Sequence, residues 1–378
     1  MPKPIPKFNG SGDPPPPHAQ WVSWISPLDA LNRTTCGRGL FFMTRKRRSL
    51  PARNSGRGRR SRANARRRAP WRKARVFLVL NLVLWGVIGG WFVVQPAERQ
   101  REVTRLLGNA VQGRRDITAF EVAWDLWQLY YGQDYVAVGG GTATEGRDLN
   151  YFYGGAPKSQ AGSPVRRLNN EGYAVGYGEA RGNPLWAAYR VSDDSLGEEA
   201  PQRPEKFSVD GRTVARVAPA AYTGSGYDRG HLAPNYAIGL HYSPRAQEET
   251  FLMSNIIPQR HGLNAGLWKT LEQKIARNYP ARFGEVWVLA GPIFGPRPAR
   301  LKHAVDVPEA CYMIIVDESA GRVRTLAFIF PQQPPSNSLA DYLTTIDEIE
   351  ARTGLDFFSA LPDAAENALE AAKASRVW

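Results

Sequence analysis

Between Tyr227 and Arg277 a histidine, several carboxamides, a carboxylate and a set of arginines recur at short spacings. The run opens with Tyr227-Asp228-Arg229-Gly230-His231-Leu232-Ala233-Pro234 and continues through Ser254-Asn255-Ile256-Ile257-Pro258-Gln259. It closes with Leu263-Asn264-Ala265-Gly266-Leu267-Trp268-Lys269-Thr270-Leu271-Glu272. An imidazole titrates near neutrality and can take a proton from water at working pH. Amide and carboxylate oxygens are the donors a hard cation prefers. Guanidinium groups match phosphate oxygens in pairs and stabilise charge in a transition state. This is the inventory for hydrolysing a phosphodiester with one hard metal ion.

His231 is the candidate general base. Arg229 and Arg203 are the candidate charge stabilisers, with an ion pair to Asp228 or another carboxylate as the alternative for Arg229. Asp228 is expected to fix the turn that presents His231, and Gly230 to allow close backbone packing. Asn255 is expected to orient the site by hydrogen bonds, or to serve as a strand-end turn residue. Asn264 opens a helical segment after Gly262, so a helix N-cap is its bland alternative. Glu272 lies eight positions on. At 100° per residue it falls within about 80° of Asn264, on the same broad side of a regular helix. Its alternative is a solvent-facing carboxylate.

At these residues the sequence resembles the DNA/RNA non-specific endonucleases, the His-Me finger or ββα-metal group. The resemblance covers roughly Asn150 to Ala351 and is densest between Tyr227 and Glu272. It implies a ββα-metal core on a mixed, largely antiparallel sheet with flanking helices. It implies Mg²⁺ dependence with Mn²⁺ as a substitute, cleavage of both DNA and RNA, and 5′-phosphate products. It makes Asn264 the direct metal ligand and Arg203 the upstream arginine; Glu272, on the same side, can hold a metal-bound water. His231, Arg229, Glu272, Arg203 and Asn255 form the catalytic set. Relatives commonly carry a lysine where Met313 stands in Val307-Pro308-Glu309-Ala310-Cys311-Tyr312-Met313, which implies one basic contact fewer.

Short apolar runs between Gly, Pro, Asn and Asp must position this chemistry. Strands are expected at Tyr173–Tyr177, Trp186–Val191, Glu249–Ile257, Val286–Leu289, Ala310–Val316 and Val323–Phe330. Helices are expected at 97–111, 117–131, 264–278, 339–352 and 364–374. Strands and helices mix without regular βαβ alternation, which argues for an α+β fold.

The chain has 378 residues and a formal charge of +14. Residues 1–75 hold 19 basic and 2 acidic residues, net +17, whereas the remainder holds 30 and 33, net −3. Bulk charge therefore does not argue for nucleic-acid binding by the body of the protein, and any phosphate-attracting surface there must be local. Residues 1–42 are rich in Pro and Gly, and Met43 offers an alternative start. The arginine run 44–75 reads as a topology signal, with anionic lipid or nucleic acid as the alternative. Val76–Val94 is a 19-residue apolar run that spans roughly 28 Å as a helix.

The expected organisation is a basic tail (1–75), a transmembrane helix (76–94), a helical spacer (95–149) and a nuclease domain (150–378). The nuclease would then lie outside the cytoplasm, in the periplasm if the source is Gram-negative, or in mitochondria if it is eukaryotic. Expected partners are DNA and RNA as substrates and a membrane; a homodimer stays open. Cys36 and Cys311 lack the spacing of a zinc site, and Cys311 reads as a small buried residue. Two alternatives to the nuclease are a catalytically silent nucleic-acid-binding membrane protein and a phosphodiesterase for another phosphate ester.

Overall fold

The computed structural model describes residues 60–111, 117–131, 135–138, 151–160, 162, 164–193, 200–319 and 321–378. The expectations for residues 1–59, for the Gly139–Gly141 loop and for 194–199 of the acidic loop lie outside the described residues. Chain contacts divide the molecule into Met1–Val76 and Phe77–Trp378. The helix Arg60–Val93 contains Lys73–Val93, 21 residues long and apolar enough to cross a membrane, and none of it is buried. Asn81, polar within it, donates its amide to Phe77 O at 2.8 Å, so the helix satisfies that group itself.

The body is built on an eight-stranded antiparallel sheet. Its order runs Val136–Ala137, Arg322–Pro331, Ala310–Ser319, Glu285–Ile293, Asn183–Ser192, Tyr173–Gly178 and Arg166–Asn169, with Leu343–Thr344 also paired to Arg322–Pro331. Strand side chains alternate between faces, and here both faces are covered. Val286, Val288, Ala290, Cys311, Met313 and Ile315 point to one layer, packed under Trp268, Leu271, Ile275 and Tyr279. Leu289, Ile293, Tyr312, Ile314 and Val316 point to the other, packed under Ile346, Ile349, Phe357, Phe358 and Leu369. Burial on both faces explains why these strands read as continuous apolar runs rather than alternating ones. Burial also pushes the Cys311 thiol up to about 12.

The helices that precede the sheet dock on the body. Thr118 and Glu121 form a reciprocal cap at the start of Ala119–Tyr131: Glu121 N donates to Thr118 Oγ1 at 3.2 Å and Thr118 N to Glu121 Oε2 at 2.8 Å. Asp125, buried on this helix, takes both ends of the fully buried Arg282 guanidinium at 2.7 Å. Arg282 Nη1 also donates to Asn278 Oδ1 at 3.0 Å. The helix Ala97–Val111 packs against Tyr279–Phe283.

Two elements differ from the sequence expectation. Glu249–Ile257 is not one strand: a helix capped by Ser243 reaches Glu249, a 3-10 turn covers Met253–Asn255, and the strand is Ile256–Gln259. The 3-10 turn closes on itself, with Asn255 N donating to Leu252 O at 2.9 Å, and pairing with the neighbouring strand begins only at Asn255 O, which accepts from Leu232 N at 3.1 Å. The stretch 339–352 is also split. Leu339–Tyr342 is a 3-10 turn, and Leu343–Thr344 adds to the sheet edge. Thr345 then caps a new helix, Ile346–Thr353, by accepting from Glu348 N at 3.2 Å.

Candidate active site

Two strands and a helix outside the main sheet carry the chemistry. Asp228–His231 pairs antiparallel with Ile256–Gln259, placing His231 opposite Ile256 and Gly230 opposite Ile257. The chain then turns at Arg260 into the helical stretch that begins at His261. Gln332 pins this unit to the sheet, accepting from Arg260 N at 2.7 Å and donating to Pro258 O and Pro308 O.

Arg203, Arg229, His231, Asn264 and Glu272 line one cleft of ≈ 540 Å³, together with Tyr236, Gln247 and Lys269. His231 packs against a pair of touching aromatic rings, Phe207 at 5.5 Å and Phe251 at 5.0 Å between centroids, which lie 4.7 Å from each other. Arg229 lies over the ring of Phe207 at 5.5 Å and Arg203 over that of Phe251 at 5.3 Å. Trp268 Nε1 donates to His231 O at 3.2 Å, fixing the backbone behind the ring. The imidazole Nε2 is covered and has no protein partner among the described residues. Burial first, and Arg203 second, hold the imidazole down at about 3, so it is neutral at physiological pH.

Asn264 is inside the helical stretch, with helical dihedrals, and is not its N-cap; Arg260 holds that position. Its Nδ2 donates to Asp228 Oδ2 at 3.0 Å. A carboxylate only accepts, so this bond sets the amide orientation and leaves the carbonyl oxygen as the open acceptor. Asp228 Oδ2 also contacts His261 Nδ1 at 2.8 Å. Asp228 thus orients Asn264. Arg229 instead donates to Pro219 O and Thr223 Oγ1.

Glu272 faces the same cleft, but not along a regular helix. Gly266 breaks the helical dihedrals, and wide π-type turns cover Asn264–Trp268 and Lys274–Asn278. Burial pushes the Glu272 carboxyl up to about 8, against a hydrogen bond from Trp268 and the charges of Arg203 and Lys269.

Asn255 lies beneath the cleft, fully buried. It accepts from Ala233 N at 2.9 Å and donates to Ala233 O and Thr250 O, stapling the segment just after His231. Met313 does not reach the cleft; its strand register turns it into the core beneath Trp268. Sequence reasoning missed Lys269, the Phe207 and Phe251 pair against His231, and the Asp228–Asn264 bond. Lys269 could have been found from its place between Asn264 and Glu272; the others join segments distant in the chain.

Gly230 has a steric reason. A Cβ there would fall 2.0 Å from Gln259 Oε1 and 2.5 Å from its Cδ, and Gln259 is fully buried. Gly230→Ala is therefore expected to cost about 1–3 kcal/mol through overpacking. Chemical denaturation checks this, and Gly230→Ala/Gln259→Ala is expected to recover most of the loss.

Residues 154–364 match the family described as DNA/RNA non-specific endonuclease. A nuclease from Nostoc sp. is 32% identical over 200 residues, 50% of this chain and 71% of the relative. The mitochondrial nuclease EXOG of Mus musculus is 30% identical over 220 residues, and this chain spans 58% of its length. Human mitochondrial endonuclease G is 30% identical over 205 residues, with 68% of it covered. A solved complex of EndoG with EndoGI aligns at TM-score 0.47 with 27% identity, covering 52% of this chain and 86% of that one. This chain belongs to the DNA/RNA non-specific endonuclease family and is a nuclease hydrolase.

Proposed function

We propose that the chain is a membrane-anchored, Mg²⁺-dependent endonuclease that hydrolyses both DNA and RNA. One observation carries the catalytic part: the Asn264 amide is pinned by Asp228 with its carbonyl oxygen left over, in the cleft that holds a neutral His231 and a destabilised Glu272. The donors fit a hard cation: an amide oxygen, and a carboxylate that burial keeps protonated unless positive charge joins it. Asn264 and Glu272 would hold the ion, with Mn²⁺ able to replace Mg²⁺. When bound, it supplies Lewis-acid stabilisation of charge on phosphate oxygens. His231 takes the proton from the attacking water, held in place by Phe207 and Phe251. Arg203 and Arg229 bind phosphate oxygens along the wall. Asn255 acts as a positioning residue. Binding through phosphate and sugar, with no base readout required, suits a substrate of either sugar type.

The apolar exposed stretch Lys73–Val93 behind an arginine-rich flank supports a single span with the nuclease outside the cytoplasm. The docked helices before the sheet support residues 95–149 as an extension bound to the nuclease domain. Purified chain is expected to nick supercoiled plasmid and degrade single-stranded RNA in Mg²⁺ or Mn²⁺, and to lose both activities in EDTA. Undiminished cleavage in EDTA would refute the metal assignment; loss of only one substrate would refute the sugar tolerance.

A further inference from the structure

The face of the sheet opposite the catalytic cleft carries a second concentration of charge. Asp347 and Glu350 stand on the helix Ile346–Thr353, Asp356 on the strand Leu355–Asp356, and Glu366 and Glu370 on the helix Asp363–Glu370. Ligand oxygens of Asp347, Glu350 and Glu370 all lie within 4.8 Å of one another, as do those of Asp356, Glu366 and Glu370. Glu370 belongs to both triads. It is 6% exposed, and its Oε1 has no hydrogen-bond partner among the described residues. It also closes its helix, where the backbone carbonyls already present partial negative charge.

The surroundings do not relieve it. The charged groups that act most strongly on Glu370 are carboxylates: Glu350, Glu366, Asp347 and Asp356. Burial first, then these neighbours, push its carboxyl up to about 8. Lys158, opposite Asp356 in the strand register, acts on Glu366. Arg352 turns away to Glu309 at 2.6 Å.

We propose that these carboxylates form a divalent-cation site, suited to calcium, that clamps the two helices and the intervening strand to the back of the sheet. Calcium binds oxygens at about 2.3–2.6 Å, so ligands on opposite sides of one ion lie roughly 5 Å apart; the oxygens of each triad, all within 4.8 Å of one another, fall inside that reach. It accepts six to eight oxygens in irregular arrangements, whereas magnesium demands an octahedron and keeps several waters. Glu350 Oε1 accepts from Phe357 N at 2.7 Å, which leaves its other oxygen for the ion. The proposal rests on no reading of the catalytic cleft.

The test compares thermal melting of the EDTA-stripped full-length chain and its Glu370→Gln variant, each with and without millimolar calcium chloride. The wild-type chain is expected to melt several degrees higher with calcium. Without calcium, Glu370→Gln is expected to melt above wild type near neutral pH, because the side chain no longer has to take up a proton on folding, and to gain less from calcium. Taking the difference between variants cancels any calcium held in the cleft. Glu350→Gln, which keeps the oxygen that bonds Phe357, is the second variant should Glu370→Gln fail to fold. An equal calcium response in wild type and variant, or none in wild type, would overturn the proposal and leave a cluster that shares protons.

Discussion

Replacing His231 with alanine is expected to lower kcat on supercoiled plasmid by about 10²–10⁴-fold, the usual contribution of a positioned general base. KM and metal affinity are expected to change little, because Asn264 and Glu272 are untouched. A variant cutting as fast as wild type would sink the mechanism. The pH profile gives a second readout. A base works in its neutral form, and protonation below its pKa stops it. Burial and Arg203 hold His231 at about 3 rather than near the ordinary histidine value. The acid limb of kcat from this group is therefore expected well below pH 6, and at saturating Mg²⁺, which keeps Glu272 ionised, activity is expected not to fall between pH 7 and 6. Phe251→Ala removes one of the rings that bury the imidazole, and is expected to hydrate it more fully and move that limb upward.

The largest stability effect is expected far from the chemistry. Arg282→Met is expected to destabilise the fold by about 3–5 kcal/mol, the cost of removing one partner from a buried ion pair. Arg282 is fully buried and Asp125 is 5% exposed, so Asp125 would be left charged and unsolvated. Glu121, 3.4 Å from Arg282 Nη1, would lose a second contact. Denaturant titration measures the loss. Limited proteolysis locates it, because cleavage is expected to appear first around the helix Ala119–Tyr131. Arg282→Met/Asp125→Leu is expected to recover most of the stability, because the orphaned charge is then gone. An undisturbed single variant would mean that the helix is held by its apolar contacts alone.

The sequence made the centre of the site legible and its scaffolding much less so. Asp228-Arg229-Gly230-His231 could be read from residue types at adjacent positions, whereas the strand it forms and the Gln259 side chain that crowds Gly230 depend on pairing with a distant segment. Asn264 and Glu272 could be paired by counting along a helix, yet the count assumes a regular one. Gly266 breaks the helix between them, and tertiary packing brings both to the cleft by another route. The role of Asp228 escaped because it depends on a bond across thirty-six positions. The antiparallel strands were legible from their β-branched and aromatic runs. Their order was not, since register depends on contacts between distant segments. The break at Leu343–Thr344 was hidden because those two residues fit a helical pattern until an edge strand offers them hydrogen bonds. Met313 shows the same limit from the other side: its residue type suggested a missing surface contact, and only the pleat shows that it faces inward.

The depth of Cys311 gives the molecule a built-in reporter. Its thiol is fully buried in a central strand, between Gln259 and the aromatic layer, and ionises far above neutrality. Alkylating reagents attack the thiolate, so this sulfur reacts only when the layer packed over its strand lifts away. The rate of its labelling thus reads the rarest fluctuation of the body directly.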